Sequence, residues 1–282
     1  MSLVTIAQVR TKSGAPVDLI SDAEVQNNIN EVEKEVLAHY SIYATPTKVV
    51  EIKDGHAVND AVMNTPTDWI KVRKPYLWKL LTLKKEDTEL DLEYITISPE
   101  TGTFRITREE GSNYIFRYNH RMRIKYLSAF MERDTSITTE NSTATTAGTS
   151  VAIAVDDESS FSVNDWILIE GLDGNIEAAQ ITATDTDEIT VDQLVQTHEA
   201  ESVITLLKTD ESLIQYILYA SAVAVANYAV GSSYTIATGY TYPEYSVQKG
   251  VPYPHWEKNL SYNDKRRKEA MSVIEAKLVA MS

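Results

Sequence analysis

Phe161-Ser162-Val163-Asn164-Asp165-Trp166-Ile167-Leu168-Ile169-Glu170, running directly into Gly171-Leu172-Asp173-Gly174, is a short apolar run with polar flanks, closed by a turn. Its length and its glycine and aspartate boundary favour a strand over a helix. Outward from it, Val151, Ile153 and Val155 alternate, and residues 179–183, 189–191 and 203–207 supply further runs of the same type. About five short strands in so few residues make a small barrel or a sandwich. The charge marks the same region as a unit. Residues 134–207 contain fifteen Asp and Glu and no Lys or Arg, and the whole net charge of −15 lies there. The rest of the chain balances 26 basic against 26 acidic residues. Acidity that adapts a chain to high salt would spread over every face, so this block reads as a separate module with its own surface. Residues 135–149, with seven threonines and little to form a core, read as an extended connector leading into it.

At 282 residues the chain is long enough for two domains and a sizeable core. It has no cysteine, which excludes structural disulfides and thiolate metal sites. Residues 1–8 have neither a basic lead nor an apolar run of signal-peptide length, so secretion through such a signal is not expected. Residues 212–243 carry no charge, but Gln215, Tyr216, Tyr219, Ser221, Asn227 and Tyr228 interrupt them and no basic cluster flanks them. The expectation is therefore no membrane span, but a helix apolar nearly all round and buried on several sides.

Ser21-Asp22-Ala23-Glu24 is a capping box, and Val25, Ile29, Val32, Val36, Leu37 and Tyr40 follow at helical spacing, predicting a helix that ends before Pro46. From residue 48 to 126 the period moves towards two. Ile70 and Val72 alternate with Lys71 and Arg73; Glu89, Asp91 and Glu93 share a face opposite Leu90 and Leu92. Residues 94–97 and 103–107 flank Ser98-Pro99-Glu100-Thr101-Gly102 and predict a hairpin. Residues 114–126 read as a strand with Arg117, Asn119, Arg121, Arg123 and Lys125 on one face and an apolar face opposite. That basic row is suited to nucleic acid or an acidic partner. The plainer reading, preferred here, pairs it across strands with the Glu89, Asp91 and Glu93 face. After the acidic block, Asp210 caps the apolar helix, which is expected to end near Gly231. A Tyr-, Gly- and Pro-rich loop covers residues 232–254, and a last helix is capped at Asn263 or Asp264 with Ala270, Met271, Ile274, Leu278 and Met281 as its stripe.

No catalytic constellation stands out, and the expectation is a protein that is not an enzyme and has no cofactor and no metal. The histidines His39, His56, His120, His198 and His255 lack metal-ligand spacing, and His198-Glu199-Ala200-Glu201 reads as a loop between strands. Asp156-Asp157-Glu158 and Asp185-Thr186-Asp187-Glu188 lack the length and glycine of a helix-loop-helix calcium site. Paired carboxylates such as Glu170 and Glu177 leave a hydrolase as a minor alternative. Lys265-Arg266-Arg267-Lys268 sits where a helix amino terminus would disfavour positive charge, and reads as a solvated face or as a contact to protein or DNA backbone.

The capped helix at 21–40, the strands holding Thr103-Phe104-Arg105-Ile106 and Arg123-Ile124-Lys125-Tyr126, the apolar helix after Lys208 and the terminal helix together resemble the head-to-tail connector, or adaptor, proteins of long-tailed bacterial and archaeal viruses. Residues 161–170, 177–181, 189–191 and 197–199 are similar to small β-modules of virion proteins, with Asn164 at the usual glycine. The resemblance implies an α+β fold: a helical connector core with an antiparallel β region in residues 1–133, an inserted acidic all-β barrel or sandwich module in 134–207, and the rest of the core in 208–282. It implies a structural virion protein of the neck, assembled in the host cytoplasm. The protein would form a dodecameric ring with itself, between the portal protein and the next neck or tail completion protein, and DNA would pass through without sequence-specific binding. By position, residues 253–282 become the portal-docking segment, with Tyr253, His255, Trp256, Lys265, Arg266, Arg267 and Lys268 as portal or partner contacts. Arg117, Arg121, Arg123 and Lys125 become DNA or subunit contacts. The alternative is a tail or baseplate protein that binds a surface ligand through the β-module.

Overall fold

The computed structural model describes residues 2–15, 17, 20–53, 69–106, 121–236, 241–242, 245–246 and 254–280. The chain divides into two compact units, one formed by Met1–Ser41 with Asp210–Val279 and the other built on Ile42–Thr209.

The first unit holds the helices α1 (Ile6–Ser13), α2 (Asp22–His39), α3 (Glu211–Ile236) and α4 (Pro254–Ala280). Thr5 caps α1 and Ser21 caps α2, each with a reciprocal capping box to Gln8 or Glu24 that satisfies amides otherwise left without partners. Asp210 accepts the Ser212 N–H at the start of α3. Val25, Ile29 and Val36 of α2 and Leu213, Ile217, Ala222 and Val225 of α3 are buried, and α3 packs against α1 and α2. α3 runs past Gly231 to Ile236, into the stretch expected to be loop. α4 begins at Pro254, well before the expected cap. Asn263 is no cap: it is buried, and its side-chain amide donates to the Lys12 carbonyl at 3.0 Å. No helix among the described residues is long and apolar enough to cross a membrane.

The second unit is β-structure. A four-stranded sheet has the order β1-β7-β3-β4, from β1 (Thr47–Lys53), β3 (Lys79–Lys85), β4 (Thr88–Leu90) and β7 (Met122–Ser128). A three-stranded sheet, β2-β6-β5, joins β2 (Ile70–Lys71), β5 (Ile95–Ser98) and β6 (Thr103–Ile106). The 95–106 hairpin pairs Ile95 with Ile106 and Ser98 with Thr103, around Gly102 at φ +63°. Both sheets share one apolar core, with Ile97 and Phe104 from one and Leu83, Ile124 and Tyr126 from the other.

A six-stranded antiparallel sheet follows in the order β8-β13-β10-β11-β12-β9, from β8 (Met131–Glu140), β9 (Gly148–Ala154), β10 (Trp166–Glu170), β11 (Ile176–Asp185), β12 (Glu188–Leu194) and β13 (Val203–Thr209). Its outer strands meet. Asn141 bridges Val155, Ser142 N–H donates to the Ala154 carbonyl at 2.9 Å, and Asp156 N–H donates to that of Glu140 at 3.1 Å. The sheet is thereby closed into a barrel around Ile153, Phe161, Ile167, Ile169, Ile181, Ile189, Val191 and Ile204. Gly171 and Gly174 turn the chain between β10 and β11. β14 (Thr241–Tyr242) and β15 (Tyr245–Ser246) form a separate short pair.

Several expectations are corrected. An α+β fold with a helical connector core is overturned: three antiparallel sheets of four, three and six strands carry most of the structure, and the described residues hold four helices confined to one unit. The threonine-rich stretch is no connector. Residues 135–140 are strand β8, paired along β13, because β-branched threonine suits a pleated ladder as well as a loop. The predicted alternation at 89–93 breaks into the end of β4 and a 3-10 turn at Leu92–Tyr94, so Glu93 does not share a strand face with Glu89.

Candidate functional site

The strand register decides what the predicted basic row touches. β7 lies between β1 and β3, not beside β4. Arg123 stands opposite Ile52 on one side and Lys84 on the other; Lys125 stands opposite Val50 and Thr82. The expected pairing with Glu89, Asp91 and Glu93 is therefore absent from β7, and Glu89 pairs with Lys84 at 3.1 Å instead. The outward face of this sheet presents Lys48, Lys84, Arg123 and Lys125 around Val50 and Ile52, which are 53% and 52% exposed. Among the described residues no carboxylate pairs with Lys48, Arg123 or Lys125. Arg121 is exposed just before β7, whereas Arg117 and the rest of 107–120 lie outside the described residues. Like charges at Lys84 and Arg123 placed directly across two strands are unfavourable in an isolated sheet. An anionic partner would relieve that repulsion.

The barrel supplies the opposite charge in concentrated form. The turn Asp185-Thr186-Asp187-Glu188 between β11 and β12 meets the loop Asp156-Asp157-Glu158: Val155 N–H donates to the Asp187 carbonyl at 2.9 Å, and Asp187 N–H to the Glu158 carboxylate at 3.1 Å. Apart from the half-buried Glu158 these acids are exposed. Asp157 is held below the ordinary carboxylate range by its Ser159 hydrogen bonds. Among the described residues no group of three His, Asp or Glu side chains is arranged to hold a metal ion.

Three carboxylates of the block are matched by cations from outside it. Arg133 binds Glu170 at 2.5 Å and Glu100 at 2.6 Å, and Lys208 lies 3.4 Å from Asp134. The third is deep. Lys79 of β3 and Glu177 of β11 are each 1% exposed and lie 3.0 Å apart, and His198 Nε2, fully buried, donates to Glu177 Oε1 at 3.1 Å. Glu177 also accepts from the Val195 and Gln196 N–H groups, and Lys79 donates to the Gln193 carbonyl. Burial alone would raise the Glu177 carboxyl. The His198 hydrogen bond, the Lys79 charge and the Val195 N–H outweigh it and hold the carboxyl below its ordinary value. The void beside this cluster measures about 10 Å³, room for one water and no substrate. The cluster fastens the barrel to the four-stranded sheet, helped by the Ala178 N–H bond to the Trp78 carbonyl at 2.8 Å.

His198 does lie in the connection between β12 and β13, but its ring is buried there, and the Glu170 and Glu177 pairing fails on register. Glu177 stands opposite Ile169, which puts Glu170 on the other face of the sheet. The buried cluster left one trace in the sequence: Lys79 and Glu177 are single charges inside apolar stretches, Leu77-Trp78-Lys79-Leu80-Leu81 and Ile176-Glu177-Ala178-Ala179. Such residues are rarely buried without a partner.

The carboxy-terminal candidates separate. Tyr253 lies outside the described residues, while His255 and Trp256 fall in the first turn of α4. Lys265, Arg266, Arg267 and Lys268 are in mid-helix rather than at an amino terminus. Arg267 and Lys268 bind Asp264 at 2.6 and 2.8 Å, and Arg266 binds Glu269 at 3.0 Å. Pairs three and four residues apart make this an ion-laced helix face. Lys265 and Lys268 line an open depression of about 740 Å³ with Ser261, Asp264, Glu269 and Val273. Comparison with known families and with curated proteins finds none that matches this chain.

Proposed function

We propose that this protein is a structural subunit of a virion neck ring that joins head to tail between the portal and the next neck or tail completion protein. The role does not require the helical core that the fold lacks. One observation carries the reading: the outward face of the four-stranded sheet sets two exposed aliphatic side chains, Val50 and Ile52, among Lys48, Arg123 and Lys125, which have no carboxylate partner among the described residues. Exposed apolar groups in an ordered, charged rim mark a protein contact surface. The sequence resemblance of α2, of strands β6 and β7, of α3 and of α4 to connector proteins gives that contact its setting. Lys265 to Lys268 on α4, with His255 and Trp256, are the proposed portal contacts.

The test is the mass of the purified protein, alone and with its portal. A ring, or a monomer that assembles only on the portal, is the expected result; a stable trimer would overturn it. A second reading, a tail or baseplate protein that binds a surface ligand through the barrel, is favoured by half-buried Trp166 and by Leu172, 69% exposed at the tip of the β10 and β11 turn. The stable trimer is the result that reading expects.

A further inference from the structure

We infer that the outward face of the four-stranded sheet docks onto the acidic end of the barrel of a second copy of this chain, the contact being formed by Lys48, Val50, Ile52, Arg123 and Lys125 on one subunit and the 156–158 and 185–188 turns on the next. The inference rests on the ring reading and gives it a specific interface. Charge complementarity carries it. Among the described residues Lys48, Arg123 and Lys125 meet no carboxylate across the sheet, and Lys84 alone is engaged, by Glu89. Asp156, Asp157, Glu158, Asp185, Asp187 and Glu188 converge on two hydrogen-bonded turns in a block that contains no Lys or Arg.

Both surfaces are expensive alone. The Lys84 and Arg123 pair repels across the sheet, and six carboxylates repel across the turns; each arrangement is relieved by the other. Val50 and Ile52 add what a purely ionic contact lacks, an apolar centre inside a charged rim. The two patches are different surfaces of the same chain, so the contact is heterologous. Repetition of a heterologous contact builds a closed ring or an open filament rather than a two-fold dimer.

The 282-residue chain offers a clean test because it contains no cysteine. Val50→Cys and Thr186→Cys are made on separate chains, mixed in equal amounts and treated with a short bismaleimide at high protein concentration and on the portal. The expected product joins one Val50→Cys chain to one Thr186→Cys chain, and it fades as salt is raised, since exposed charges are screened. In parallel, Arg123→Glu with Lys125→Glu should weaken self-association by about tenfold or more, as should Asp185→Lys with Asp187→Lys, while all four changes in one chain restore it. Thermal unfolding of each variant checks that it folds.

Predominant Val50→Cys self-pairing overturns the inference, as does assembly indifferent to every reversal. It is also overturned if Arg123→Glu with Lys125→Glu abolishes binding to DNA or to the portal but leaves self-association intact. A wild-type ring untouched by the reversals removes this contact and leaves the ring. Filaments with the mixed cross-link keep the contact and remove the ring, and a protein that stays monomeric on the portal without cross-links removes both.

Discussion

Lys79→Met preserves the length of a side chain that is 1% exposed and removes the ammonium 3.0 Å from Glu177. Deleting one partner of a buried ion pair costs about 3–5 kcal/mol, because the remaining charge stays desolvated. Here Glu177 keeps the Val195 and Gln196 N–H donors and the His198 Nε2 donor, which places the loss near the low end, about 3 kcal/mol. For a unit the size of Ile42–Thr209 each kcal/mol moves the midpoint by about 2–4 °C, so the expected drop is about 6–12 °C at neutral pH. Urea and thermal unfolding, followed by the fluorescence of fully buried Trp78, read it.

The pH dependence gives an independent check. The Glu177 carboxyl is depressed in the folded protein, so its contribution is complete above the unfolded carboxylate value of about 4.3 and is lost as pH falls through the lower folded value. Without Lys79 the folded value rises, and protonation removes the uncompensated charge. The gap between the variant and the natural protein should therefore narrow below about pH 4. A Lys79→Met protein within about 1 kcal/mol of the natural one at pH 7, or a gap unchanged through the acid range, would refute the role given to this cluster.

Other outcomes test separate parts of the fold. Asn141→Ala removes a buried amide that donates to the Thr143 and Glu199 carbonyls and accepts from Ser202 N–H; the barrel should lose about 2–3 kcal/mol, read as faster amide exchange in β8 and β9. Ser21→Ala takes the cap from α2 and should cost about 1 kcal/mol in urea unfolding. Gly102→Val places a β-branched side chain at φ +63° with its Cβ 3.4 Å from the Lys74 carbonyl oxygen; a loss of at least about 1–2 kcal/mol is expected by the same measurement.

What the sequence disclosed is what short-range chemistry encodes. Ser21 with Glu24 announced α2 because both partners lie within one turn, and Pro99 and Gly102 announced the hairpin because the turn itself requires them. The neighbours of β7 were invisible for the opposite reason. Val50 meets Lys125 across a long separation that no local period records, and the nearer acidic residues at 89–93 made a more obvious partner on paper. Asn263 has a helix-capping side chain but spends it on the Lys12 carbonyl, so the terminal helix started earlier than its residue types suggested. Threonine misled at 135–140 because its hydroxyl suggests a loop while its branched carbon favours a strand. The two faces of the docking surface were present as charge rows, but only the register showed that Arg123 and Lys125 meet no carboxylate among the described residues of their own sheet.

Thr209 lies directly across from Met131, so the chain enters and leaves the barrel on neighbouring strands. A body whose two ends emerge side by side can be gained or lost in a single event, since the host chain needs only a short splice to close over the gap. The Lys79 to Glu177 link limits that freedom: a host that sheds the barrel keeps a stranded cation in its sheet. Lineages with and without the barrel should therefore differ at position 79 as well, a paired change that would date the acquisition.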